Sequence, residues 1–327
     1  MPAKFNPKEK LKMEPKLVKW VLAHDPIEIF IRAAEEFKKI VEARAPGRLN
    51  IDILTLSEYS AKYRNGERVT KGQLLDLMAR GEIEMSQMYT YVLSKFNRDL
   101  DILDMPFLFR DHDHAQRVFE GPIGESMLEG YGREGSKIKG LGFTYSGGYK
   151  NMAFNKDVTQ LTDFIGAKVR TSNSPVAQAT FRSLGAEPTT FEIEELADRL
   201  GTDEIDAGEC TWPRFYGNGI YKNAKSVVNT DHSLLVTNII INSEFFKDLD
   251  LELQTVVKDA AIQAARFERE ISVEDVGPTS SRAREEGYKI IDLSDNEREE
   301  FVKTTAVVYD QFADYFTPGL IDSIKKL

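Results

Sequence analysis

Only one cysteine, Cys210, occurs in 327 residues. An intrachain disulfide is therefore impossible, and no metal site built from several thiolates can form. Histidine is almost as scarce, with four in the chain. The nearest pair, His112 and His114, lies in a D-H-D-H turn whose alternating side chains need not converge. The His-x-x-x-His spacing that puts two imidazoles on one helix face is missing, so capping and loop hydrogen bonds are the expected role and no metal is expected. Long apolar runs are missing too: residues 1–17, rich in lysine and proline, read neither as a signal peptide nor as a membrane span. No G-x-G-x-x-G opens a helix after a strand, and no Walker lysine motif occurs. Gly121-Pro122-Ile123-Gly124 and Ser146-Gly147-Gly148 therefore read as local backbone geometry, and no cofactor is indicated. Low-complexity tracts and solenoid-length repeats are also absent.

Acidic residues outnumber basic ones, 53 to 43, for a formal net charge of -10. That balance disfavours a broad footprint for nucleic acid or an anionic membrane. It leaves room for a local cationic pocket, which would have to hold an anion against an unfavourable overall field. The length exceeds what a single core normally fills, so two lobes are expected.

Residues 16–24 read as a strand. Residues 27–45 read as a helix with Ala33, Phe37, Ile40 and Val41 on one face, stopped by Pro46-Gly47. Residues 49–56 alternate as a second strand, and strand, helix, strand begins an α/β lobe. A helical pattern at 65–81 and a short strand at 83–88 continue it. Residues 139–143 read as the opening of a second lobe, followed by extended segments at 150–154 and 168–170 and a helix from Ser174-Pro175 to Leu184. Strands follow at 226–229 and 234–242, the latter so continuously apolar that burial is expected. A long helix at 249–273, a strand at 288–293 and a last helix carrying Phe301, Val308, Phe312, Phe316 and Leu320 complete the chain. The organisation expected is a first α/β lobe at 16–138 with later crossings contributing, a second at 139–230, and crossing strands and long helices at 231–327 bracing both. Ligands of such doubly wound sheets sit beyond the carboxyl ends of the strands.

Four stretches occur in a recognisable order: LDMPFLFRDHDHAQRVFEGPIG at 103–124, FIGAKVR at 164–170, FRSLGAEPTTFEIEELADRL at 181–200 and IDAGE at 205–209. Together they resemble the DctP-type solute-binding proteins of tripartite ATP-independent periplasmic (TRAP) transporters, over residues 18–327. The resemblance implies a two-lobed periplasmic-binding-protein fold with an interlobe cleft and long connecting helices. It further implies a non-enzymatic periplasmic receptor, its export signal absent from this chain. Such a receptor carries a small organic or sugar acid to small and large membrane subunits.

The same resemblance makes Arg170, at the end of Gly166-Ala167-Lys168-Val169-Arg170, the ligand arginine. A guanidinium offers a rigid fork of donors that matches the two oxygens of a carboxylate; an ordinary surface contact is the competing reading. Lys150 stands where many relatives carry a second basic residue, unless it is a solvated loop lysine. Glu209 and Cys210 stand where the family often reads Glu-Asn. Cys210 is a weak donor and acceptor, so it reads as a pocket-wall or core thiol. Glu209 either orients a basic group or ties the lobes. Trp212, Phe215 and Tyr216 could cover apolar ligand surface or simply pack the hinge. Tyr89 offers a hydroxyl to a ligand or a ring to the core, and His24, at the first strand-to-helix turn, meets the ligand or the loop. Glu192, Glu194 and Glu195 read as helix decoration and caps. A sensory receptor with the same cleft, or a cofactor-dependent enzyme, would be the alternatives.

Overall fold

The computed structural model describes residues 14–23, 28–132, 136–158 and 160–327. Its strands in chain order are β1 (Lys16–Leu22), β2 (Leu49–Leu54), β3 (Met85–Tyr89), β4 (Ile138–Tyr149), β5 (Asn151–Phe154), β6 (Lys168–Thr171), β7 (Glu187–Thr190), β8 (Ala207–Cys210), β9 (Ser226–Asn229), β10 (Leu234–Asn242) and β11 (Lys289–Asp292). They form two sheets, β2-β1-β3-β10-β4 and β11-β9-β5-β8-β6-β7. The result is a two-domain α/β fold with long connecting helices.

In the first sheet β1 pairs in parallel with β2 and β3. The helix Glu28–Arg44 crosses over between β1 and β2, burying Phe30, Ala34, Phe37 and Val41 at three- and four-residue intervals against the sheet. The apolar strand β10 enters antiparallel between β3 and β4, and its burial follows from having neighbours on both edges and helices on both faces. The pattern at 139–143 is thus not the start of the second lobe. The chain stays in the first sheet to Tyr149 and crosses at Lys150, because β10 returns from beyond residue 230 to pair with β4 from Leu234↔Tyr149 to Asn242↔Ile138. The helical pattern at 65–81 also resolves differently. Asn65 and Gly66 adopt left-handed backbone angles, and the helix itself runs Lys71–Ala79 behind a Thr70/Gln73 capping box. The last helix is broken into Asp295–Thr305, Val307–Gln311 and Leu320–Lys326.

The helix Leu251–Glu274 lies across the first sheet so closely that a Cβ on Gly142 of β4 would stand 3.1 Å from the Ala265 Cβ. It continues past Asp275 into Val276–Glu285, whose Ala283 sits in the second core, so one near-continuous rod braces both lobes. Phe301 packs in the second lobe, while Val308, Phe312 and Phe316 return to the first. Among the described residues, no helix is long and apolar enough to cross a membrane.

Buried polar groups, Glu268, Arg269 and Ser272, interrupt this packing. Glu268 of the long helix is fully buried, and its carboxyl oxygens accept from Gln87 Nε2 at 3.0 and 2.8 Å. Burial pushes its pKa well above the ordinary carboxylate range, despite the Gln87 and Thr144 hydrogen bonds and the nearby Arg269 and Arg32. An acid whose folded pKa is raised destabilises the fold as pH climbs above its unfolded value, because the unfolded chain releases the proton first. Glu268→Gln should therefore leave the denaturation midpoint nearly unchanged at pH 4 and raise it at pH 8. An equal shift at both pH values would contradict a protonated Glu268.

Candidate functional site

Both sheets send side chains to a small cavity between the lobes, lined by Tyr89, Tyr91, Lys150, Arg170, Ser172, Ile193, Glu209, Cys210, Arg214 and Leu235. Tyr89 closes β3, Arg170 lies near the end of β6, and Glu209 and Cys210 close β8. The carboxyl ends of these strands face the cleft, as in doubly wound folds generally. The cavity encloses about 20 Å³, room for about one water, so the lobes must part to admit any organic solute.

Lys150 occupies the crossing itself, where its backbone N–H donates to the Ser233 carbonyl at 2.8 Å. Its ammonium is 2% exposed and lies 3.0 Å from Asp104 in the first lobe and 3.1 Å from Glu209 in the second. Burial alone would lower its pKa, but the two carboxylates raise it. Glu209 also accepts from the Thr171 hydroxyl, from the Ser172 N–H at 3.1 Å and from His232 Nε2 at 3.0 Å. Burial opposes its ionisation, yet Lys150, His232 and Thr171 hold it far below the usual range. The positive charge expected of Lys150 is thus present but already neutralised.

Two guanidiniums differ from it. Arg170, 7% exposed, donates from Nε and Nη2 to the Phe191 carbonyl at 3.0 and 2.9 Å. Arg214, 3% exposed, donates from Nε to Ser146 Oγ at 2.9 Å, from Nη1 to Asn218 Oδ1 at 3.2 Å and from Nη2 to the Tyr89 hydroxyl. Neither forms an ion pair with an acidic side chain among the described residues. Tyr89 stacks on Tyr91 at 5.3 Å, and burial pushes its hydroxyl up to about 12. Burial, then the Glu209 charge, pushes the Cys210 thiol up to about 12, so Cys210 is a neutral wall. Ser172 Oγ is buried there with no hydrogen-bond partner among the described residues.

Of the residues singled out in the sequence, Arg170, Lys150, Tyr89, Glu209 and Cys210 come together in this cavity. Trp212 and Phe215 do not. Trp212 donates from Nε1 to Asn229 Oδ1 at 3.0 Å and lines a separate cavity of about 480 Å³ with Tyr149, Asn151 and His112. Tyr149 and Asn151 flank Lys150, and side chains alternate along an extended chain, so that cavity lies behind the crossing. Phe215 is wholly buried against Trp212, Tyr216 and Tyr288. His24 lies outside the described residues.

Arg214, Ser172 and Tyr91 escaped the sequence reading. A usable signal for Arg214 was Thr211-Trp212-Pro213-Arg214, a helix start with proline in its first turn, directly after a strand end. Glu192 and Glu194, expected as helix decoration, pair instead across the cleft mouth with Lys71 Nζ at 3.2 and 2.8 Å. His114 Nε2 lies 2.8 Å from the Ile324 carbonyl. Among the described residues, no cluster of three or more His, Cys, Asp or Glu could hold a metal.

The family model DctP, described as bacterial extracellular solute-binding protein, family 7, matches residues 23–315. The C4-dicarboxylate-binding periplasmic protein DctP of Shewanella loihica is 24% identical over 295 residues, 89% of this chain and 83% of that protein. The 2,3-diketo-L-gulonate-binding periplasmic protein YiaO of Escherichia coli is 26% identical over 260 residues, 79% and 76% of the two chains. Among solved structures, a TRAP periplasmic solute-binding protein from Shewanella oneidensis with bound succinate superposes with a TM-score of 0.82. It is 24% identical, with 95% of this chain and 99% of that one covered. One from Pseudomonas putida F1 with bound D-glucuronate gives 0.83 at 21% identity, covering 95% and 97%.

Removing one partner of a buried pair leaves the other charge uncompensated, which costs about 3–5 kcal/mol. Lys150→Met, which strands Asp104 and Glu209, should lose stability of that order in urea denaturation; a loss below about 1 kcal/mol would place the cluster in solvent. Glu209 has a depressed folded pKa, so its contribution is full above the ordinary carboxylate value of 4.5 and fades as pH falls further. The stability gap between wild type and Glu209→Gln should accordingly be constant from pH 8 to pH 6 and narrow below pH 4.5, as measured by denaturation at each pH.

Proposed function

We propose that this chain, which belongs to the DctP family of bacterial extracellular solute-binding proteins, captures a small carboxylated metabolite between its lobes. In this reading it then hands the solute to the small and large membrane subunits of a TRAP transporter. The observation that carries the proposal is the pair of buried guanidiniums, Arg170 and Arg214, in one interlobe cavity and held, among the described residues, by uncharged groups alone. A buried cation without a counter-charge bears a desolvation penalty that a bound carboxylate offsets through charge-assisted hydrogen bonds. Relatives named for C4-dicarboxylates and for 2,3-diketo-L-gulonate, and structures solved with succinate and with D-glucuronate, support an organic acid or sugar acid.

Capture follows from the same geometry. The cationic groups sit on the second sheet's side and the tyrosines on the first, so a solute docked on Arg170 in the open cleft is enclosed when Tyr89 and Tyr91 swing over it. The Lys71 pairs with Glu192 and Glu194 then close the mouth. Release requires only that the lobes part, since no bond to the solute is made or broken. Cys210, the cavity's thiol, is kept protonated by burial and is a poor nucleophile, in keeping with a receptor and not an enzyme. Membership of this family supports a periplasmic location.

Truncating one partner of a buried charge pair costs about 2–5 kcal/mol. Arg170→Ala should thus weaken binding of succinate or D-glucuronate, whichever binds more tightly, by at least about 30-fold in isothermal titration calorimetry. Unchanged affinity would remove Arg170 from the site and overturn the reading.

A further inference from the structure

We propose that Arg214 is the second anion anchor of this site, and that it selects solutes with two acidic groups over those with one. The inference rests on the carboxylate-binding reading above and goes beyond it by assigning the second charge.

Three cationic side chains line the cavity, and their surroundings separate them. Lys150 is neutralised by Asp104 and Glu209 at 3.0 and 3.1 Å, so it has little left to offer a solute. Among the described residues, Arg170 is hydrogen-bonded only to the Phe191 carbonyl. Arg214 is hydrogen-bonded, among the described residues, only to two hydroxyls and an amide oxygen: Ser146, Tyr89 and Asn218. Each guanidinium is more than nine-tenths buried. A planar carboxylate matches one guanidinium edge, so a single-headed acid would satisfy one fork and leave the other buried and uncompensated. A two-headed acid satisfies both.

Among the described residues, the remaining wall offers no competing counter-charge. Cys210 is neutral, Leu235 and Ile193 are apolar, and the Glu209 carboxylate is taken up by Lys150, His232, Thr171 and Ser172 N–H. Both anchors belong to the second lobe, Arg170 on β6 and Arg214 in the first turn of the helix Trp212–Gly217. They are therefore set relative to each other before closure, so the distance between the two acidic heads is read by one rigid body. The unpartnered Ser172 Oγ faces the same space and fits a hydroxyl or carbonyl carried between those heads.

The test uses the full chain and matched probes that differ by one charge: succinate against succinamate, and galactarate against galactonate. Calorimetry on the wild type should favour the diacid of a binding pair by at least about 10-fold. Arg214→Gln should weaken the diacid by at least about 30-fold and bring the diacid-to-monoacid ratio below about 3. Arg214→Lys, which keeps the charge but loses the fork, should weaken the diacid and leave the diacid-to-monoacid ratio between about 3 and the wild-type value; it serves as the decisive variant if the glutamine form fails to fold, and a lysine form with the wild-type diacid affinity would overturn the assignment. A wild type that binds succinamate or galactonate as tightly as its diacid would overturn the assignment. So would an Arg214→Gln protein that loses both members of a pair equally, which makes Arg214 a scaffold residue. Failure of the parent reading is distinguishable: no member of either pair would then bind the wild type.

Discussion

The ammonium of Lys150 stands between Asp104 of the first lobe and Glu209 of the second, at the point where the chain leaves one sheet for the other. Three charges out of water would be ruinous singly, since each carries a desolvation cost of several kcal/mol. Together they form a closed network that also draws in His232, Thr171 and Thr230. The network joins the two lobes at the point where the chain passes from β4 to β5. Around it the backbone is tightly drawn: Phe107 and Asp231 hold left-handed angles, and the Phe107 N–H donates to the His232 carbonyl at 2.7 Å.

Neutralising Lys150 changes which charges the cavity presents. With that charge balanced, the field at the cavity's centre comes from Arg170 and Arg214, whose hydrogen bonds among the described residues go only to neutral oxygens. An overall charge of -10 does not prevent this, since exposed charges beyond a Debye length are screened while buried ones are not. The same burial that silences Cys210 and keeps Tyr89 protonated sharpens the contrast between the two forks and their walls.

How far the sequence anticipates this arrangement depends on how local each feature is. Strand, helix and strand at the N-terminus, the buried strand at 234–242 and the long helix near 249–273 are written in short-range periodicity, and all three are found. The pairing of β4 with β10 is not, because an extended segment carries no mark of its partner 90 residues away. The helix at 65–81 came out shorter because Asn65-Gly66 prefers a left-handed turn. At the site, Arg170, Tyr89 and Glu209 fall where motif and strand ends put them. Lys150 lines the cavity as anticipated, but its neutralisation was hidden, since Asp104 and Glu209 lie 46 and 59 residues away along the chain. Trp212 and Phe215 illustrate the opposite difficulty. An aromatic cluster advertises burial without saying which surface it buries, and these rings serve the second core and the rear of the crossing.

The position of β10 has a further consequence, for biosynthesis. A nascent polypeptide that has reached Tyr149 has made every strand of the first sheet except the one that belongs in its interior. Until Asn242 leaves the ribosome, β3 and β4 present bare edges, the kind of surface that recruits other chains. The N-terminal half therefore cannot mature ahead of the rest, and the order of synthesis differs from the order of assembly. A release shortly before residue 234 would yield two unfinished lobes, not one finished and one missing.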